Sequence, residues 1–337
     1  MHILIIYDGK PGHLSPSLGL YQLLSRHSKG KYSYEITTSK PVLKALNKPI
    51  RLLTRHLARN AHKFIMLFHR NPSFKRKPDL IISFGGNSVA ANVALTQKTQ
   101  CMNIAIGNIY SFRKTDFSLT LSTKEDIKKS RQYLPFSRID VNLCKALGDN
   151  LKKKHHKPFY TLLIGGNGSG YKYTRKDYID LIEELKKIAI YQNISWLIST
   201  SRRTPKYVAE LIESNMPFDT CFNLLDYEAP NASLEEILGA SEAVFITEDS
   251  SSMISEALAL SKPIYTLVPQ ENNIYGAHKT LIEKLYSETY IKRMEIFELA
   301  KTFNDSLSKD FNLDYGYHSK ARYDEIISAL DISSNGR

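Results

Sequence analysis

The sequence predicts two Rossmann-like, doubly wound α/β domains facing one another across a cleft. Three observations carry that expectation. Short apolar β-type runs alternate with helical patterns along the 337 residues, the rhythm of parallel strands covered by helices. The rhythm breaks between Ser122 and Pro158, ending in "LKKKHHKP", and then restarts. At this length a single hydrophobic core gives way to two domains of ordinary size.

In the first half, Ile3–Tyr7, Tyr34–Thr38, Leu80–Phe84 and Met102–Ile106 read as strands, with helical patterns over Ser17–Arg26 and Ser88–Gln97. The junction is placed at residue 150, giving domains 1–150 and 151–317. In the second, "FYTLLIGGNGSGY" is a buried strand running into a glycine loop, followed by a helix over Arg175–Tyr191. "SWLISTSRRTP" is the next strand and loop, before a helix over Lys206–Ser214. "EAVFITEDSSSMISEALALSKPIYTLV" reads as strand, helix and strand. A last helix near Lys320–Leu330, within residues 318–337, is expected to cross back onto the first domain.

The bulk composition narrows the class. Hydrophobic content of 42% and charged content of 24% fit a soluble globular protein. No apolar run approaches the roughly 20 residues that span a bilayer. "ILII" is too short for a signal peptide, and three scattered cysteines show neither a metal pattern nor a disulfide framework. A cytoplasmic protein beginning at Met1 is expected.

The net charge of +12 has one source. Between Ile36 and Pro78 there are eleven Lys or Arg residues and no Asp or Glu; removing those eleven from 46 leaves 35 basic residues against 34 acidic. Lys40, Lys44, Lys48, Arg51, Arg55, Arg59 and Lys63 recur every three or four residues, and Val42, Leu46, Ile50, Leu53 and Leu57 add apolar surface. Segment 40–77 is therefore expected to lie on an anionic membrane surface, at the inner face of the cytoplasmic membrane. A solvated helix face is the alternative. Nucleic acid is not expected as a partner, because stacking aromatics and a recognition motif are missing.

Chemistry concentrates where strands end. In "LLIGGNGSGY", Gly165, Gly166 and Asn167 open a loop whose amides an anion can approach closely. "STSRRTP" sets Ser201, Arg202, Arg203 and Thr204 where a diphosphate would lie, with Thr204 as helix cap and Pro205 as first helical residue. In "TEDSSSMISEAL", Asp249 or Ser250 caps a helix, Ser251 and Ser252 face phosphate oxygens, and Glu256 can accept two hydrogen bonds from a ribose diol. Near the start, "YDGKPGH" offers His13 as a base, with Asp8 as the alternative. Lys10 and Gly12 of that turn, with Gly85, Gly86 and Asn87 after another strand, line the same side. No D-x-D motif is present, so neither metal nor cofactor is expected.

Taken together, "DGKPGH", "STSRRTP" and "TEDSSSMISEA" resemble the plant mitochondrial-fission ELM family, whose bacterial relatives are regarded as glycosyltransferases of lipopolysaccharide or lipooligosaccharide assembly. More distantly, "GKPGHLSP" and "SSSMISEALALSKPIYTLVP" are similar to the MurG-type N-acetylglucosaminyltransferases of peptidoglycan. The resemblance implies GT-B architecture, with the N-terminal domain on the acceptor and membrane side and the C-terminal domain holding a nucleotide sugar. It makes His13 the candidate base, Glu256 the ribose ligand, and Gly165 and Gly166 part of the donor loop. A lipid-linked saccharide is the implied acceptor, in core or related cell-envelope glycan synthesis. "TEDSS" and the paired arginines depart from the MurG pattern, so donor identity does not carry over. A nucleotide-sugar epimerase of the same fold and a noncatalytic membrane-associated adaptor are the competing readings.

Overall fold

A computed structural model of the chain describes residues 1–9, 11–28, 30–39, 42, 48–49, 52, 73–110, 112–122, 131–132, 136–306, 310–313 and 320–335. Lys10 and six of the seven periodic basic residues assigned to the membrane segment (Lys40, Lys44, Arg51, Arg55, Arg59 and Lys63) lie outside the described residues, whereas Lys48 is described and exposed. Among the described residues, no helix is long and apolar enough to cross a membrane.

The chain divides into two units, Met1–Arg138 with Gly316–Arg337, and Ile139–Tyr315. In the first, six parallel strands take the order β2-β1-β3-β4-β5-β6. They are β1 (His2–Tyr7), β2 (Ser33–Thr38), β3 (Leu80–Phe84), β4 (Met102–Ile106), β5 (Leu119–Ser122) and β6 (Arg131–Gln132). Ile3 to Ile6 and Leu80 to Ile82 are fully buried, which explains their continuous apolar runs: a parallel strand is covered on both faces. Helix α1 (Pro11–His27) follows β1, and α2 (Val89–Thr99) follows β3. The start of α1 corrects the expected Ser17. Pro11 occupies the first helical position, where a fixed φ helps and the missing N–H is no loss. His13 therefore lies in the first turn of a helix.

The second unit has the order β10-β9-β7-β11-β12-β14, again all parallel. Its strands are β7 (Phe159–Leu163), β9 (Ser195–Ser199), β10 (Cys221–Leu225), β11 (Ser241–Thr247), β12 (Ile264–Val268) and β14 (Lys292–Glu295). A short antiparallel ribbon pairs β8 (Tyr171–Lys172) with β13 (Glu271–Asn272). Trp196, Phe245 and Phe303 are fully buried in the core, and the Trp196 indole N–H donates to the Leu185 carbonyl at 2.9 Å. That bond satisfies the one polar atom of a large apolar side chain.

The division falls after Arg138, not after residue 150. Helix α3 (Val141–Lys152) belongs to the second unit because it packs on α6 (Leu234–Ala240) through glycine contacts. A Cβ on Gly239 would lie 1.8 Å from the Cys144 carbonyl oxygen, and one on Gly148 would lie 2.1 Å from the Gly239 backbone. Between these elements the chain also forms α4 (Arg175–Gln192) and α5 (Lys206–Asn215); α7 (Ser251–Leu258), α8 (Gly276–Ser287) and α9 (Leu299–Ser306) follow α6. Substituting Gly239 with alanine is expected to destabilise the unit by about 1–3 kcal/mol through overpacking, read as a lowered Tm. The last helix, α10 (Lys320–Asn335), packs on α1 and β5.

Each strand order contains one reversal, between β1 and β3 and between β7 and β11. At such a switch point adjacent loops diverge to opposite faces and leave a crevice beyond the strand ends, where open α/β sheets take ligands.

Candidate functional site

At the first reversal, the loops after β1 and β3 bring Asp8, His13 and Asn87 together. The Asp8 side chain is 1% exposed and the His13 ring 30% exposed. Asp8 Oδ1 lies 2.9 Å from His13 Nδ1, and Oδ2 accepts a hydrogen bond of 2.9 Å from Asn87 Nδ2. A carboxylate accepts, so Nδ1 carries the hydrogen and Nε2 the lone pair. The ring is packed edge-on against Phe84, centroids 5.2 Å apart.

Gly85 is required here twice over. Its φ of +87° lies in the left-handed region, and a Cβ would stand 2.9 Å from His13 Nδ1. A Cβ on Gly86 would strike the Tyr110 ring at 2.3 Å. The glycine pair thus makes room for two rings, one of which sequence reasoning did not anticipate. Gly12 is exposed in the first turn of α1. The arrangement is a histidine oriented by a buried carboxylate, itself held by an amide.

At the second reversal, the loops after β7, β9 and β11 converge. Arg203 lies beneath the glycine loop: Cβ atoms on Gly166 and Gly168 would meet its carbonyl at 2.3 Å and its Nη1 at 2.5 Å. Its Nη2 pairs with Asp249 Oδ2 at 2.5 Å; the guanidinium side chain is 38% exposed and the carboxylate fully buried. Asp249 covers Gly165, where a Cβ would come within 2.4 Å of Oδ2. Burial pushes the Asp249 carboxyl up to about 6, with Arg203 and nearby hydrogen bonds pulling the other way.

Two hydroxyls expected to meet phosphate are engaged in holding the loops. Ser201 Oγ donates to the Gly165 carbonyl at 2.7 Å, and Thr204 Oγ1 lies within hydrogen-bond reach of the Ile164 and Gly165 carbonyls. The cap of α5 is Pro205, one residue later than expected, because the Thr204 hydroxyl is turned toward the glycine loop. Arg202 is exposed on the same turn, and Asn167, also exposed, accepts the Tyr173 N–H at 2.7 Å. Ser250 is the buried N-cap of α7 without a side-chain capping bond, Ser252 is exposed, and Glu256 is buried within the helix.

Glu248 was missed in the sequence. It is fully buried and accepts from Arg293 through Nε and Nη2, from the Tyr171 hydroxyl at 2.5 Å and from Thr266 at 2.6 Å. This fixes the chain just ahead of α7. Nothing in "KRME" marks Arg293 as its partner, since the two lie 45 residues apart. Among the described residues, no group of three or more His, Cys, Asp or Glu side chains is placed to hold a metal ion.

Comparison with known proteins bears on both units. The sequence model of a family described as Mitochondrial fission ELM1 matches residues 11–309. An uncharacterised protein of Rickettsia prowazekii is 30% identical over 196 residues, 56% of this chain and 52% of that protein. The chain thus matches about half the length of that relative. Among solved structures, the UDP-GlcNAc 2-epimerase of Methanocaldococcus jannaschii has a TM-score of 0.56 at 12% identity, covering 98% of this chain and 100% of that one. The glycosyltransferase VinC in complex with dTDP gives 0.54 at 10% identity over 100% of both chains. MurG of Acinetobacter baumannii gives 0.52 at 11% identity over 99% of both. At these identities the likeness shows the fold: Rossmann-like α/β units of the kind found in GT-B glycosyltransferases and epimerases.

Proposed function

The chain belongs to the mitochondrial fission ELM1 family, and we propose that it is a glycosyltransferase using a nucleotide-sugar donor. The observation that carries this reading is the Asp8–His13 pair at the switch point of the first unit. A protein that only binds nucleotide has no need of an oriented base on a separate sheet. In the proposed reaction His13 Nε2 takes the proton of an acceptor hydroxyl as its oxygen attacks the anomeric carbon. The bond from that carbon to phosphate oxygen breaks, and its electron pair leaves with the nucleotide. Arg202, Arg203, the Gly165–Gly166 backbone and the start of α7 offset the charge that develops. Glu256 takes the ribose.

The finer reading follows from the family resemblance and the charge distribution. The acceptor is a lipid-linked saccharide of the cell envelope, in lipopolysaccharide or lipooligosaccharide core synthesis. Segment 40–77 docks on the anionic inner face of the cytoplasmic membrane, and transfer proceeds without a metal. Neutralising Arg51, Arg55 and Arg59 is expected to weaken binding to anionic liposomes in a salt-sensitive way.

A thermal-shift screen against UDP-, GDP-, ADP- and CMP-sugars tests the donor site. One class should stabilise the protein, by about 2.7 kcal/mol at a hundred times its Kd. Glu256→Ala should weaken that ligand at least tenfold, the loss of a charge-assisted hydrogen bond. Silence from every nucleotide sugar would remove the transferase reading and favour the adaptor; conversion of the donor without any acceptor would favour an epimerase.

A further inference from the structure

The proposed anion site has a histidine behind it with no part in the reaction described so far. His278, the third residue of α8, bridges two groups at the head of α7. Its Nε2 lies 2.8 Å from the Glu248 carbonyl oxygen and its Nδ1 2.7 Å from Ser251 Oγ. A backbone carbonyl only accepts, so Nε2 carries a hydrogen. In the neutral ring Nδ1 is then an acceptor, and Ser251 must give it the one hydrogen its hydroxyl has. Ser251 begins α7; with its hydrogen turned to the ring, it offers an arriving anion only lone pairs.

We propose that His278 is a positioning residue that takes up one proton when a nucleotide phosphate docks at the start of α7, turning the Ser251 hydroxyl from the ring to the phosphate. This rests on the nucleotide-sugar reading above. A proton from solvent adds to the Nδ1 lone pair, and the new N–H donates to Ser251 Oγ. The serine O–H bond stays intact and rotates about Cβ–Oγ to donate to a phosphate oxygen. The site thereby gains one hydrogen bond and one positive charge opposite the phosphate.

The groups facing the ring support this assignment. Burial is the largest influence on His278 and holds it below the ordinary histidine range. The Glu248 carbonyl and carboxylate favour the charged ring, while Arg203 from the turn after β9 and Arg293 from β14 oppose it. Tyr171 of β8 meets the ring edge-on at 5.7 Å. The free ring is therefore neutral near pH 7, and a phosphate arriving beside it supplies the attraction that two guanidinium groups otherwise cancel. Asp249, next to Glu248 in the chain, is the other group that would respond to an added anion.

Calorimetric titration of the full chain with UDP and with inorganic pyrophosphate, in buffers of differing ionisation enthalpy, counts the protons. Binding is expected to take up a measurable fraction of one proton near pH 7, and affinity to fall with rising pH there, by at most about tenfold per pH unit. His278→Gln, which keeps a donor for the Glu248 carbonyl but does not titrate, should abolish the uptake, and Asp249→Asn should retain it. Binding by the wild type with no proton uptake overturns the proposal and leaves the donor site standing; that result needs no variant to fold. Uptake that survives in His278→Gln and vanishes in Asp249→Asn assigns the proton to Asp249 and likewise overturns it. If neither probe binds, the donor-site reading fails and this proposal fails with it.

Discussion

Replacing His13 with glutamine is expected to lower kcat by roughly 10²–10⁴-fold, the range of a positioned general base, with nucleotide affinity unchanged. Glutamine keeps the bulk beside Phe84 and can donate to Asp8 but has no lone pair of suitable basicity at the Nε2 position. Stability should change by no more than about 1 kcal/mol, since the ring is partly exposed and makes one hydrogen bond. Retained turnover in a folded His13→Gln protein would show the base assignment to be wrong. Geometry favours His13 over Asp8 in this role. Both carboxylate oxygens of Asp8 already hold partners, Nδ1 and the Asn87 amide, and its side chain is nearly closed to solvent. Asp8→Asn should therefore act through His13, lowering kcat by disturbing the tautomer and ring orientation and leaving KM nearly unchanged.

Much of the fold was legible because parallel strands buried on both faces write themselves as unbroken apolar runs. Ile3–Tyr7, Leu80–Phe84 and Met102–Ile106 lie in strands within one residue of the expected bounds. The edge strand β2 was legible too, but β14 was not: it reads "KRME", with charges that reach solvent or Glu248. The unit boundary was misplaced because α3 looks like linker until Gly148 meets Gly239, a contact that no local pattern announces. At the site, residue types that need a special backbone were easy to find. Glycines and prolines at strand ends mark loops whatever lies opposite them. What a hydroxyl or carboxylate points at was not legible, because that depends on elements far away in sequence. Ser201 and Thr204 looked like phosphate ligands and instead tie their turn to the Ile164–Gly165 backbone. Glu248 drew no reading at all, because its partner Arg293 comes from a strand 45 residues away.

Asp249→Asn is expected to stabilise the protein by up to about 3 kcal/mol at pH 8 and by nothing measurable at pH 4. The carboxyl sits near 6 in the folded chain against an ordinary value of 3.8, and two units of difference correspond to about 3 kcal/mol. The folded state keeps this proton at pH values where the unfolded chain has already released it. Stability from this group is therefore complete below about pH 4, falls as pH rises through 6, and is flat above. Asparagine stays neutral throughout, so unfolding curves of the two proteins should coincide at low pH and separate between pH 4 and 7. Arg203 would lose its partner, but with its side chain 38% exposed it can be hydrated in place. A variant that is less stable than wild type at pH 8 would mean that the ion pair outweighs the burial of Asp249. The chain keeps a charge that burial disfavours directly over Gly165, beneath the loop proposed to receive phosphate. That is the stability–activity conflict expected where function sets the residue. A carboxylate there holds Arg203 against the glycine loop and neutralises its guanidinium until a more highly charged phosphate competes for it. Asp249→Asn should accordingly bind inorganic pyrophosphate more tightly than wild type at pH 8 and no differently at pH 4, where the wild-type carboxyl is itself largely neutral.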